Sequence, residues 1–290
     1  MLVTILSLVL NGIVLGLIYA TVAIGFSIFV GLCKVINFAH GAMYAFGAYF
    51  FFVMKDIIGF WPAFAIAPLL VAAGGFFIER FLIRRVVDMD SLFGVLLTFG
   101  LYVAFEESIR MIFGPAGHTV AGPAFASGVF MIGDFLYSEY RIFVGLLSAA
   151  MLFGVWLLSS KTNIGSIVKA GMYDREMVEA LGHRLPALRT LVFVVGSALA
   201  GFSGVIAAPM WGIKSAMGVD VLFPSFAIVL LGGIGSVPGT IIGGLIIGLS
   251  LSLATMVFPR FVDIIPFLVM GIVIYFRPRG LFGEQHVLEG

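Results

Sequence analysis

Apolar residues in this chain fall into long runs near residues 5–30, 38–54, 60–78, 92–113, 141–159, 190–208, 221–257 and 260–276, separated by charged or glycine-rich segments. A helix of about 20 apolar residues crosses a bilayer. The strands of a membrane barrel alternate apolar and polar residues, and these runs do not. The seventh run is too long for one helix and is interrupted by GGIGSVPG, Gly232 to Gly239. It reads as a short half-helix, a turn and a full helix. The pattern therefore predicts an all-α, polytopic helical membrane protein with about eight spans plus a broken or re-entrant helix near 221–239. The opening MLVTILSLVLNG lacks a basic leader and an A-x-A-like site, so it is read as the first span. No stretch is large or polar enough for a soluble domain, and residues 1–290 are expected to form a single membrane domain.

Charge orients the spans. Basic segments lie at Glu79 to Arg85, Lys161 to Arg189 and Arg277 to Gly280; with Lys34 they hold 11 of the 16 Lys and Arg. Cytoplasmic loops carry the excess of Lys and Arg. These segments are expected inside, with the C-terminus, and a re-entrant seventh region places the N-terminus outside. The largest outward segment is then Gly114 to Tyr140, read as loop with a short interfacial helix around Phe130 to Tyr137.

Composition narrows the function classes. Only 11% of residues are charged, against about 25% in soluble domains, and mean hydropathy is +1.18. A net charge of +1 leaves no basic surface for nucleic acid. The single cysteine, Cys33, excludes an intrachain disulfide. Glycine, 37 of 290 residues, points to close helix packing in patterns such as GIVLG (Gly12 to Gly16) and GGLIIG (ending at Gly248).

The chemistry is sparse. There is no G-x-x-x-x-G-K-[ST] and no H-E-x-x-H, and His40, His118, His183 and His286 are scattered. No catalytic residue, metal site or cofactor is expected in this chain. GFSG, Gly201 to Gly204, matches the nucleophile motif of rhomboid-type intramembrane proteases. Downstream of Ser203 the only histidine is His286, in the polar tail, so the motif reads as a helix-packing face. Glu106, Glu107 and Arg110 lie toward the outer end of the fourth run, with Glu106 and Arg110 spaced to pair at i,i+4. An ion-coupled secondary carrier, the rival reading, would need Glu106, Glu107 or Asp263 to titrate within the membrane.

Two polar features remain. In residues 161–189 a helix is expected to continue or restart over Ser166 to Gly171. Asp174 is the N-cap of a short helix over Arg175 to Leu181, and Gly182 is its stop. This is either a solvated linker or a docking helix for a soluble partner. In KVINFAHGAMYAFGAYF, Asn37 and His40 mark a break between the first two spans. Together with Gly41 and the second break at Gly232, Gly233, Gly235, Ser236 and Pro238, they either border a translocation path or its gate, or cap and staple helix ends.

Four segments together resemble the LivH-type permeases, membrane subunits of ABC importers for branched-chain amino acids. They are Gly16 to Tyr49, which contains INFAHG; KAGMYDREMVEALGH; AIVLLGGIGSVPGTIIGGLIIGL; and YFRPRGLFG. The resemblance spans nearly the whole chain. It implies a permease in a bacterial cytoplasmic (inner) membrane, two ATP-binding partner subunits that carry ATP and Mg, a second and different permease subunit, and a periplasmic or extracellular binding protein that delivers substrate. It also implies ATPase docking through Asp174, Glu176, Glu179, Ala180 and Gly182. The chain departs from the family's E-A-A-x-x-x-G, since Met177 and Val178 replace the alanines, and Lys169 stands where arginine is more usual.

Overall fold

The computed structural model describes residues 2–132 and 135–283. The chain folds as α1 (Leu2–Cys33), α2 (Ala39–Ile58) and α3 (Phe60–Ile78). A π-helical turn, Glu79–Ile83, joins α3 to the short α4 (Arg84–Val86). Then come α5 (Ser91–Phe113), the strands β1 (Val129–Ile132) and β2 (Phe135–Ser138), and α6 (Glu139–Lys161). The rest is α7 (Asn163–Tyr173), α8 (Arg175–Ala180), α9 (Leu185–Trp211), α10 (Met217–Gly232), α11 (Val237–Val257) and α12 (Ile265–Phe276). Eight of these stretches are long and apolar enough to span a bilayer, and α10 is a shorter apolar helix. The protein is a multi-pass helical membrane protein.

Two spans form the centre. The most apolar windows of α1 and α9 are 72% and 78% buried, against 6% for the last span, which lies at the rim. Small residues let these helices touch. On α1, Gly12 and Gly16 meet Gly244 and Gly248 of α11; a Cβ on Gly12 would lie 2.8 Å from Leu249 Cα. Gly25 of α1 meets Gly196 of α9. Gly201 and Gly204 of α9 face Gly47 and Tyr44 of α2, and the Ser203 hydroxyl donates to the Leu199 carbonyl at 2.9 Å. The GFSG motif is thus a packing face; His286 lies outside the described residues.

Side-chain and loop contacts gather the basic segments at one end of the bundle. Arg84 reaches Thr190, Arg175 reaches Leu32, and Gly233 abuts Gly283. At the opposite end His118 and Ile213 form a two-bond β-bridge, each bond 2.9 Å, that ties the outer loop to the turn after α9.

Two expectations are corrected. Where an interfacial helix was expected around Phe130 to Tyr137, the described residues instead form an antiparallel strand pair, with Phe130 opposite Tyr137 and Met131 opposite Leu136; Gly133 and Asp134 lie outside the described residues. The alternation favours a strand: Phe135 and Tyr137 stack on one face, Tyr137 is buried, and Leu136 points the other way. Arg110 pairs with Glu107 at 2.8 Å, one residue closer than the expected Glu106. Glu106 is held instead by the Tyr102 hydroxyl, one turn back.

Candidate translocation path and coupling segment

The first break is non-helical backbone at membrane depth. α1 ends at Cys33, and Lys34 adopts φ +56°. The chain then turns back, with Val35 packed against Gly94 and the Ile36 carbonyl accepting from the Thr98 hydroxyl at 3.1 Å. α2 starts beside the middle of α1. His40 Nε2 stands 3.0 Å from the Val22 carbonyl and its ring stacks on Phe26. A carbonyl only accepts, so Nε2 carries the proton. Val22 lies about 16 Å along α1 from its end, at 1.5 Å per residue. Backbone of this kind is tolerated in a bilayer only inside protein or beside a cavity. Asn37 is 1% exposed, and its Oδ1 has no hydrogen-bond partner among the described residues. Gly41 touches Gly218 at the start of α10: a Cβ there would lie 2.6 Å from the Gly218 oxygen.

The second break lies at the other end of α10. With 16 residues this helix is about 24 Å long, short of the ~30 Å hydrocarbon core. Gly233 and Gly235 hold φ of +99° and +80°, which disfavour any side chain. Ser236 caps α11, accepting from Gly239 N–H at 3.2 Å, and Pro238 sits in its first turn. Gly232 packs directly on Gly239. The Gly235 N–H donates to Ser27 of α1 at 3.0 Å. The C-terminal tail completes the site: Leu281 and Phe282 N–H donate to the carbonyls of Leu231 (2.8 Å) and Gly232 (3.0 Å). A helix end leaves such carbonyls unpaired, and the tail pairs them here.

In the candidate coupling segment Asp174 Oδ1 accepts from Met177 N–H at 2.9 Å, and Gly182 ends the turn at φ +85°. Val178 is buried and anchors α8, while Asp174, Glu176, Glu179, Ala180 and Gly182 are exposed. Met177 and Leu181, 56% and 70% exposed, share that helix's outer side at i,i+4. Sequence reasoning noted Met177 only as a departure from the family pattern and did not pair it with Leu181; an apolar pair among carboxylates on a polar segment between two spans was the available signal. Behind them, Arg175 donates to the Leu32 carbonyl at 2.8 Å. Met172, buried at the end of α7, sits between Gly31 of α1 and Gly235 of the second break. A Cβ on these glycines would lie 3.0 and 2.7 Å from its sulfur. Beyond α8, Arg84 donates to Pro186 O and Thr190 Oγ1, and Thr190 donates to the buried Glu79 at 2.6 Å.

The predicted site residues thus form two groups joined by α10. Gly41 packs on Gly218 and Leu222 in its first half, and His40 and Asn37 lie just before Gly41 at the start of α2. Gly232 through Pro238 lie at the end of α10, where Gly235 meets Met172 of α7. A cavity of about 880 Å³ opens at the end of the bundle opposite the basic segments. It is lined by Tyr19, Tyr44, Met217, Asp220, Phe223 and Asp263 among others. A Lys214–Asp220 ion pair (2.6 Å) and the Arg141–Asn11 contact lie on its wall. Glu106 and Glu107 do not line it. Among the described residues no three His, Cys, Asp or Glu gather as a metal site.

Spans packed around a lined cavity, with a half-helix between two breaks and an exposed segment at the basic end, define a membrane transport subunit. The chain belongs to the family described as the permease component of branched-chain amino acid transport systems, whose model matches residues 8–274. It is 28% identical to the high-affinity branched-chain amino acid transport system permease protein LivH of Escherichia coli (strain K12), covering 96% of this chain and 95% of LivH. It is also 26% identical to the LivM permease protein of the same strain, covering 92% of this chain and 68% of LivM. Among solved structures, PsaBC from Streptococcus pneumoniae in complex with Fab matches the fold at a TM-score of 0.50 and 14% identity, covering 91% of this chain and 90% of that one.

Proposed function

We propose that this chain is one of two membrane subunits of an ATP-driven (ABC) importer for branched-chain or related small amino acids, set in a bacterial cytoplasmic membrane. The observation that carries the reading is the family match over residues 8–274. Matches to both LivH and LivM of one organism support a second permease different from this one. Two ATP-binding subunits dock on the exposed side of α8, around Glu176, Met177 and Leu181, and supply ATP hydrolysis with Mg. A soluble binding protein delivers substrate to the cavity end. Closure of the ATPases pushes α8 and α7 toward the bundle. Met172 carries that push to Gly235, and α10 relays it to the break at Asn37 and Gly41, switching access. Selection is left to the binding protein.

Uptake of labelled leucine by proteoliposomes holding the assembled complex tests this. Uptake should require ATP and the binding protein, and should persist when ionophores collapse proton and sodium gradients. Uptake by this chain alone, abolished by the ionophores and by Asp263→Asn, would support the ion-coupled carrier instead.

A further inference from the structure

Between α1, α6, α7 and α9, at the basic end, lies a second cavity of about 250 Å³. Its walls are Ile28, Val155, Leu158, Val168, Val195 and Leu199, and they are almost wholly apolar. The lips open outward: Leu158 is 60% exposed, Ile164 54%, Leu191 41% and Val195 42%. Lys169 and Thr162 stand at the rim, and the cavity reaches Met172 and Gly235. The groove is separate from the large cavity, with which it shares no lining residue.

We infer that this groove binds an anionic phospholipid of the cytoplasmic leaflet, one acyl chain in the groove and the headgroup phosphate on Lys169. Leu158, Leu191 and Val195 belong to spanning helices, so what reaches these lips is hydrocarbon. Water finds too few polar partners inside to occupy it. An amino-acid substrate would leave its charges unpaired there. Small-molecule pockets usually start at about 300 Å³, and this one is smaller and fits a stretch of chain. Lys169 sits where the basic segments place the headgroup layer, and a cation there attracts anionic lipid. Met172 and Gly235 also line the groove, so bound lipid buttresses the contact between them and raises transporter turnover.

The test uses the assembled transporter in nanodiscs of phosphatidylcholine with or without phosphatidylglycerol. Native mass spectrometry reads retained lipid, and ATP hydrolysis reads turnover. Wild type should retain phosphatidylglycerol in preference to phosphatidylcholine and hydrolyse ATP several-fold faster with it. Lys169→Gln, at an exposed position, should erase the preference; Val195→Phe, on the exposed lip, should fill the groove and lose the lipid. Equal retention in wild type and both variants, or no lipid preference in wild type, overturns the site. Preferential retention without any change in hydrolysis overturns the effect on turnover. Lipid retention is read without transport, so its failure is distinct from failure of the importer reading.

Discussion

Met172 fills the space beside Gly235 so closely that a methyl on that glycine would lie 2.7 Å from its sulfur. The first residue lies in the last turn of α7, and the second sits in the turn between the half-helix α10 and α11. A displacement of α7 toward the bundle therefore cannot leave that turn where it is, because packed interiors transmit strain.

Gly235→Ala tests this joint. The left-handed conformation costs an alanine about 1–2 kcal/mol, and the contact with Met172 adds to it. Leucine uptake should fall about tenfold or more while the complex still assembles. Adding Met172→Ala should restore part of the loss, because it relieves the contact but not the φ. A double variant as poor as the sum of the two singles would place the residues in separate roles.

Asn37 separates function from scaffold. Its Oδ1 is buried without a hydrogen-bond partner among the described residues, and removing such a group is neutral or stabilising. Asn37→Ala should therefore keep or raise the melting temperature of the purified complex while uptake drops about tenfold. His40→Ala should behave differently. It loses the bond to Val22 and the stacking on Phe26, for a stability loss of about 1 kcal/mol. Loss of the assembled complex with Asn37→Ala would make that residue structural.

Gly248 packs on Gly12 and Gly16 across the α1–α11 contact. Gly248→Val should destabilise the chain by about 1–3 kcal/mol or more through overpacking. Yield and melting temperature should both fall, with transport per folded molecule little changed. A normal melting temperature with lost transport would move this contact from scaffold to mechanism.

Much of this was legible in the chain. Apolar runs gave the spans within several residues, because bilayer thickness sets helix length. Asp174 and Gly182 bounded α8 by cap chemistry alone, and Gly232 to Gly239 located the second break. Other features depend on contacts between distant segments. Nothing local to YFRPRGLFG says that Leu281 and Phe282 pair the last carbonyls of α10. Nothing near Met172 says that Gly31 and Gly235 converge on it. The pairing of β1 with β2 was hidden because a short apolar stretch fits a helix or a strand until its partner is known. Glu106 went to Tyr102 for a similar reason: i,i+4 spacing fits both the tyrosine one turn back and the arginine one turn on.

The most direct measurement is affinity purification of the complex from the native host, with mass spectrometry of the proteins that accompany this chain. Wild type should bring two ATP-binding subunits and a second permease. Glu176→Arg with Leu181→Asp, both at exposed positions of the α8 turn, should lose the ATP-binding subunits and keep the second permease. A chain that purifies alone and well folded, or a double variant that still holds its ATP-binding subunits, would contradict the account.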